Sequence, residues 1–136
     1  MDYSYELQLK VRDYECDLQG IVNNAVYQNY LEHTRHEFIE QAGLSFAKLH
    51  EDGIDAIVIR IEIDYKFPLR SGDEFVCRLK LSREGNLKFV FWQDIYRLPD
   101  EKLIVKGKVT TATVNNRTAR PVAPTQLVEA LEKYMP

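Results

Sequence analysis

Asp17-Leu18-Gln19-Gly20-Ile21-Val22-Asn23-Asn24-Ala25-Val26-Tyr27-Gln28-Asn29-Tyr30-Leu31-Glu32, running on to Gly43, is the stretch around which the rest of the chain has to fold. It opens as a polar loop with one carboxylate and one glycine, then becomes the longest helix-like segment in the sequence. From Tyr27 the apolar positions fall at Tyr27, Tyr30, Leu31, Thr34, Phe38 and Ala42, mostly three or four apart. That is the spacing of one buried helical face. Gly43 supplies the left-handed cap that ends the helix. The first backbone N–H groups of a helix are unpaired and carry partial positive charge, so they can hold a developing oxyanion. Asp17 lies a few residues upstream, within reach of the same reacting group.

The order of elements follows from where the period changes. Before the loop, Tyr5, Leu7, Leu9 and Val11 alternate with Glu6, Gln8, Lys10 and Arg12, the mark of a half-buried strand. Asp13–Gly20 is the loop and about Asn24 to Ala42 the main helix. Ser45 is placed to cap a short helix from Phe46 to about Asp52, closed by Gly53. Ile57, Ile59, Ile61, Ile63 and Tyr65 then alternate in a long strand that stops before Pro68, and Leu69–Asp73 reads as a turn. Phe75, Cys77, Leu79 and Leu81 mark the next strand, and Arg83-Glu84-Gly85-Asn86 a hairpin turn. The fourth strand (Leu87, Phe89, Phe91, Gln93, Ile95) is apolar on its other face too, at Val90, Trp92 and Tyr96, which predicts cover on both sides. After Leu98–Glu101 the fifth runs through Leu103, Val105, Val109 and Thr111 to about Val114. Thr125 is placed to cap a closing helix, Gln126 to Tyr134. Short turns favour antiparallel neighbours. A single striped helix needs a surface, and the sheet is the one available. The expected fold is therefore α+β, one domain spanning 1–136: a curved antiparallel sheet wrapped around one long central helix.

Composition narrows the function classes. A chain of 136 residues, 45% hydrophobic, can build a real core. Its 18 basic and 21 acidic residues give a net charge of −3 with no long Lys/Arg run, which argues against a nucleic-acid or anionic-membrane partner. Cys16 and Cys77 are too few and too far apart for a disulfide framework or a Cys-rich zinc site, and fit a reducing compartment. The polar N-terminus has no apolar signal core and no stretch reaches transmembrane length, so the expected location is cytoplasmic. His33 and His36 lack a third ligand in the pattern, and no phosphate-binding or dinucleotide glycine motif is present, so no metal and no cofactor are expected.

A carboxylate beside a helix N-terminus suits acyl transfer: main-chain N–H groups polarise a carbonyl while the carboxylate attacks it or activates water. Asn23 and Asn24 are both good N-caps, and at least one is expected to serve as such. Capping and catalysis are compatible, because the donors offered to substrate are main-chain. Glu32, one turn further along the helix, is a second acid/base candidate. Glu37, Glu40, His33, Arg35 and His36 read as a solvated or subunit-facing surface.

The pattern of Asp17, Gly20, two apolar residues at Ile21 and Val22, then a helix bearing Tyr27 and Glu32, resembles the hotdog-fold thioesterases of the 4-hydroxybenzoyl-CoA thioesterase family. The order of one strand, a central helix and four strands is the hotdog order. Tyr65-Lys66-Phe67-Pro68 and Gly72-Asp73 are similar to the family's strand and turn after the helix. Val11-Arg12-Asp13-Tyr14-Glu15, Gly20–Tyr27 and Arg35-His36-Glu37-Phe38 look like the plant acyl-ACP thioesterases of the methylketone-synthase type. The resemblance implies Asp17 as nucleophile or general base, and backbone N–H groups at Gly20 and around Asn24 as carbonyl polarisers. It implies Ile21, Val22, Asn23 and Tyr27 around the substrate, and a homodimer or homotetramer with the site between subunits. Where many relatives have His after the glycine this chain has Ile21. Asn23 and Asn24 stand where benzoyl-type members carry aromatics, which argues against an aromatic substrate. Arg83 and Lys88 are candidates for CoA phosphates or an acidic carrier surface, and read equally as solvated charges near a hairpin.

Three functions follow. The first is hydrolysis of a fatty acyl thioester, on acyl carrier protein or CoA, with the chain in an apolar channel beside the helix. The second is hydrolysis of an aromatic acyl-CoA of the dihydroxynaphthoyl or hydroxybenzoyl type. The third is a non-catalytic acyl-binding hotdog protein, for which Asp17 would be dispensable.

Overall fold

The alternating segments pair into an antiparallel sheet in the computed structural model, which describes residues 2–135; Met1 and Pro136, the two ends of the expected domain span, lie outside the described residues. Its strands are β1 (Tyr5–Lys10), β2 (Ile54–Tyr65), β3 (Glu74–Glu84), β4 (Lys88–Leu98) and β5 (Lys102–Asn115). Helices α1 (Asn24–Gln41), α2 (Phe46–Glu51) and α3 (Thr125–Glu132) complete the described elements, together with a single 3₁₀ turn at Asp13–Glu15. This is the hotdog arrangement: α1 lies along the inner face of the curved sheet.

The strand order is β1-β3-β4-β5-β2. β3, β4 and β5 are sequential hairpins, as the short turns require. β2 departs from that rule. It pairs with β5 and forms one edge, and residues 66–73 carry the chain across to β3. What anchors this crossing is Leu69, fully buried, whose carbonyl accepts the Val22 N–H at 2.9 Å and whose N–H donates to the Tyr27 hydroxyl at 3.0 Å. The presumed turn is thus a strut between the sheet and the start of α1.

Nor does β2 keep one alternation throughout. Its register against β5 shifts between Val58 and Arg60, so Val58 pairs with Thr111 whereas Ile61 pairs with Val109. A bulge puts one extra residue in the strand and reverses which face the side chains take beyond it. Ile61, Ile63 and Tyr65 therefore share a face with Ala56 and Val58, and not with Ile57.

Packing of α1 follows its stripe. Phe38 meets Tyr5, Phe91 and Tyr134 with ring centroids 5.7, 6.4 and 4.9 Å away, and Tyr30 meets Phe75 at 4.7 Å. Fully burying a side chain such as Phe38 or Leu31 contributes about 2–3 kcal/mol each. The helix packs tightly against the sheet at Gly107, where a Cβ would stand 3.1 Å from both the Gln93 carbonyl oxygen and Leu31 Cδ1. Ser45 caps α2 as expected, accepting the Lys48 N–H at 3.3 Å. Thr125 does not cap α3: Pro124 is the cap, in extended backbone, and Thr125 is already helical. The outer face of β4 is covered by side chains and not by another layer, Tyr3 donating to Asp94 at 2.7 Å and Lys108 lying over the Trp92 ring.

Candidate active site

The loop before α1 is closed by its own hydrogen bonds. Asp17 N–H donates to the Ile21 carbonyl at 2.9 Å, and the Asp17 side chain accepts the Gln19 N–H at 2.8 Å. Gly20 N–H donates to the Asp17 carbonyl at 3.0 Å, and Gly20 adopts φ +79°, a conformation that side chains rarely take. Cys16 bridges Val22 and Ile21 bridges Arg70, so both arms of the loop are pinned. The Asp17 side chain is left at an exposed tip.

Asn23 is the N-cap of α1, its side chain accepting the Ala25 N–H at 3.0 Å. Asn24 is the first helical residue. Its N–H has no partner among the described residues, while its carbonyl accepts the Tyr65 hydroxyl at 3.4 Å. Asp17 and Ile21 are therefore joined across the closed loop, and Asn23 and Asn24 follow directly as the cap and first residue of α1. Gly20 is different. Its N–H is already taken by Asp17, so its part is to make the turn rather than to polarise a carbonyl. Val22 and Tyr27 are buried, and the Tyr27 hydroxyl is used by Leu69, so they hold the loop in place and do not line an open surface.

Arg83 and Lys88 lie elsewhere in the chain. They flank the β3–β4 hairpin, roughly 26 Å along β3 from Phe75, which packs under the first turns of α1. Arg83 donates to the Asn86 carbonyl at 2.6 Å and covers the Phe89 ring. Within one chain they do not join the Asp17 loop.

Glu15, noted in the sequence only as part of the Val11–Glu15 motif, braces the Asp17 loop. Its carboxylate accepts the Arg12 N–H and the Tyr30 hydroxyl, both at 2.8 Å. Burial and this carboxylate hold the Tyr30 phenol well above its ordinary pKa, so it remains a donor.

Beside the middle of α1 lies an open-mouthed cavity of about 580 Å³, lined by α1, α2, the start of β2, the inner faces of β4 and β5, and α3. Its charged and ionisable members, Glu32, Arg35, His36, His50 and Asp55, lie on α1, α2 and the start of β2, and β5 adds the hydroxyls of Thr111 and Thr113. His50 Nδ1 is 2.6 Å from Asp55 Oδ1, a bond that holds the Asp55 carboxyl below its usual range. Arg35 corrects the expectation of a solvated position. It is only 7% exposed, and donates to Gln93 Oε1 at 3.1 Å, while Gln93 Nε2 donates to the Leu31 carbonyl at 2.9 Å. The signal was present, since Arg35 stands four residues from both Leu31 and Ile39 on the buried stripe, but its charge made it read as surface. Asp17 lines neither this cavity nor the more polar cleft of about 650 Å³ between α1 and Leu9–Glu15.

Comparison with known proteins agrees with this architecture. The chain is 38% identical over 122 residues to the acyl-acyl carrier protein thioesterase ATL3, chloroplastic, of Arabidopsis thaliana, a match covering 90% of this chain and 64% of that protein. It is 27% identical to the long-chain acyl-CoA thioesterase FadM of Escherichia coli, over 96% of this chain and 98% of that one. The crystal structure of Slr0204, a 1,4-dihydroxy-2-naphthoyl-CoA thioesterase from Synechocystis, superposes with a TM-score of 0.87 over 92% of both chains at 13% identity, a likeness of fold. The chain spans a little under two thirds of the length of its plant relative. The model of the thioesterase-like superfamily matches residues 11–131, and with the sheet, the central helix and the Asp17 loop already in place, the chain belongs to that superfamily.

Proposed function

We propose that the protein hydrolyses a fatty acyl thioester, carried on CoA or on acyl carrier protein, to the free acid and thiol. What supports this reading is an exposed carboxylate, Asp17, on the closed loop that leads into α1, whose first N–H, that of Asn24, has no partner among the described residues. The thioester carbonyl oxygen accepts from that N–H, where the helix dipole favours negative charge. Asp17 either attacks the carbonyl carbon or takes a proton from the water that does. The C–S bond breaks, the thiolate takes up a proton, and water supplies the oxygen of the acid. The acyl chain occupies the 580 Å³ cavity, whose floor is aliphatic and aromatic, a lining that suits a flexible apolar chain. No cofactor takes part. Names of relatives point the same way, ATL3 to an acyl carrier protein thioester and FadM to a long-chain acyl-CoA. Two free cysteines fit the reducing, cytoplasmic setting expected from the sequence, and no helix among the described residues is long and apolar enough to cross a membrane.

Asp17 and the cavity are joined by a second copy of the chain. β2 is an edge strand with Val58 and Ile59 exposed at 44% and 47%, an unpaired edge of the kind that recruits another strand. Antiparallel self-pairing about a two-fold axis near the middle of β2 sets its first residues against the last residues of its copy. The cavity side of Asp55–Val58 then faces the partner subunit's Tyr65, whose counterpart in this chain bonds Asn24. One subunit's Asp17 would thus serve a chain bound in the other, as a homodimer or as a tetramer of two such pairs.

Thiol release from a panel of acyl-CoA, acyl-ACP and aromatic acyl-CoA thioesters tests the reading. Saturable turnover greatest on a fatty acyl thioester is the expected result. An aromatic thioester turned over faster moves the chain to the aromatic class, and no release from any thioester leaves an acyl-binding protein. The double variant Ile59→Lys, Ile61→Lys, at exposed β2 positions outside the cavity lining, is expected to sediment as a monomer and to lose turnover with Asp17 intact. A monomeric variant with full activity would refute the shared site.

A further inference from the structure

We infer that α3 is the ruler of the acyl site, Leu131 and Leu127 forming the end wall that sets which chain lengths are accepted; the inference rests on the fatty acyl reading above. Burial divides the cavity lining into a mouth and a floor. Glu32, Ala56, Ile57 and Val58 are exposed, whereas Leu127 and Leu131 are 3% and 2% exposed. All the charged members of the lining lie on α1, at the end of α2 or at the start of β2, and none on α3. A thioester is the polar end of its substrate, so the chain enters past the charged residues and runs toward the uncharged, buried wall that Leu127 and Leu131 form with Phe89 and Phe91.

Leu127 and Leu131 are four apart in α3, hence on one face of the helix. Pro124 starts that helix, and the Val122 N–H to Thr113 carbonyl bond at 2.9 Å ties its approach to the end of β5. At its other end, Tyr134 packs edge-on against Phe38 and its carbonyl accepts the Ser4 hydroxyl at 2.8 Å. The wall is fixed at both ends, so a chain that reaches it cannot push it aside cheaply. The cavity of about 580 Å³ lies within the size range of small-molecule sites and has room for an extended acyl chain with its last carbons against α3.

The test replaces Leu131 by Phe, Ala and Met and Leu127 by Phe, then reads two profiles on each folded dimer. One is kcat/KM for saturated acyl-CoA thioesters from eight to eighteen carbons. The other is the Kd of the matching free fatty acids by calorimetry, which needs no turnover. Leu131→Phe and Leu127→Phe are expected to move both optima to shorter chains and Leu131→Ala to longer ones. The ratio between neighbouring even chain lengths should change about tenfold. Leu131→Met, which keeps the volume, should leave both profiles unchanged. A merely structural leucine would lower all lengths together, so folded variants with the wild-type optimum overturn the ruler. If L131A does not fold, the two Phe variants decide. If the wild type releases no thiol from any thioester, the hydrolytic reading fails, and the fatty-acid profile alone still upholds or refutes the ruler.

Discussion

Asp17→Asn is expected to lower kcat for thioester hydrolysis by about 10²–10³-fold while leaving the melting temperature where it is. Both halves of that expectation come from the same contacts. The side chain makes one hydrogen bond, accepting the Gln19 N–H, and an amide oxygen accepts it equally well. The loop is otherwise closed by main-chain bonds, from Asp17 N–H to Ile21 and from Gly20 N–H to Asp17, which the substitution does not touch. The amide is neither a useful nucleophile toward a thioester nor a base for water. The substitution leaves the Asn24 N–H, the proposed carbonyl polariser, untouched, so a residual rate above the uncatalysed one should remain. Steady-state thiol release and a thermal melt on the same sample check both parts. A variant that keeps its rate would remove Asp17 from the chemistry.

Gln93→Leu is expected to cost about 3 kcal/mol of stability, a drop of roughly 10 °C in Tm for a chain this size. Gln93 is fully buried under the middle of α1. Its amide N–H holds the Leu31 carbonyl and its oxygen takes the Arg35 guanidinium. Arg35 has no carboxylate within ion-pair range among the described residues, so this one acceptor offsets much of the cost of burying a charge. Burial already lowers the Arg35 pKa from its ordinary value, yet the guanidinium stays charged throughout the accessible pH range. Leucine fills nearly the same volume, which keeps a cavity penalty out of the result. Urea unfolding should show a lower midpoint at unchanged slope. A variant as stable as wild type would mean that Arg35 finds another acceptor.

Local chemistry was legible in the chain. Asn23 reads as a cap, Gly20 as a turn, and the 27-30-31-34-38 spacing as a buried stripe, because each depends on residues within a few positions. The crossing from β2 to β3 was not legible, since what decides it is Leu69 reaching back to Val22 and Tyr27 more than forty residues earlier. The bulge at Ile59 has no glycine or proline to announce it, so an unbroken run of alternating isoleucines hides the change of face. The cavity draws on six elements, and no periodicity in any one of them points to it. Arg83 and Lys88 were readable only as charge near a hairpin, and the register places that hairpin away from the Asp17 loop of the same chain.

The most direct measurement is a crystal structure of the Asp17→Asn variant soaked with an unhydrolysed fatty acyl-CoA. The account predicts the thioester carbonyl oxygen on the Asn24 N–H, the substituted side chain beside the carbonyl carbon, and the acyl chain running through the partner subunit's cavity to α3. A thioester bound with its carbonyl away from the start of α1, or with its chain outside that cavity, would contradict it.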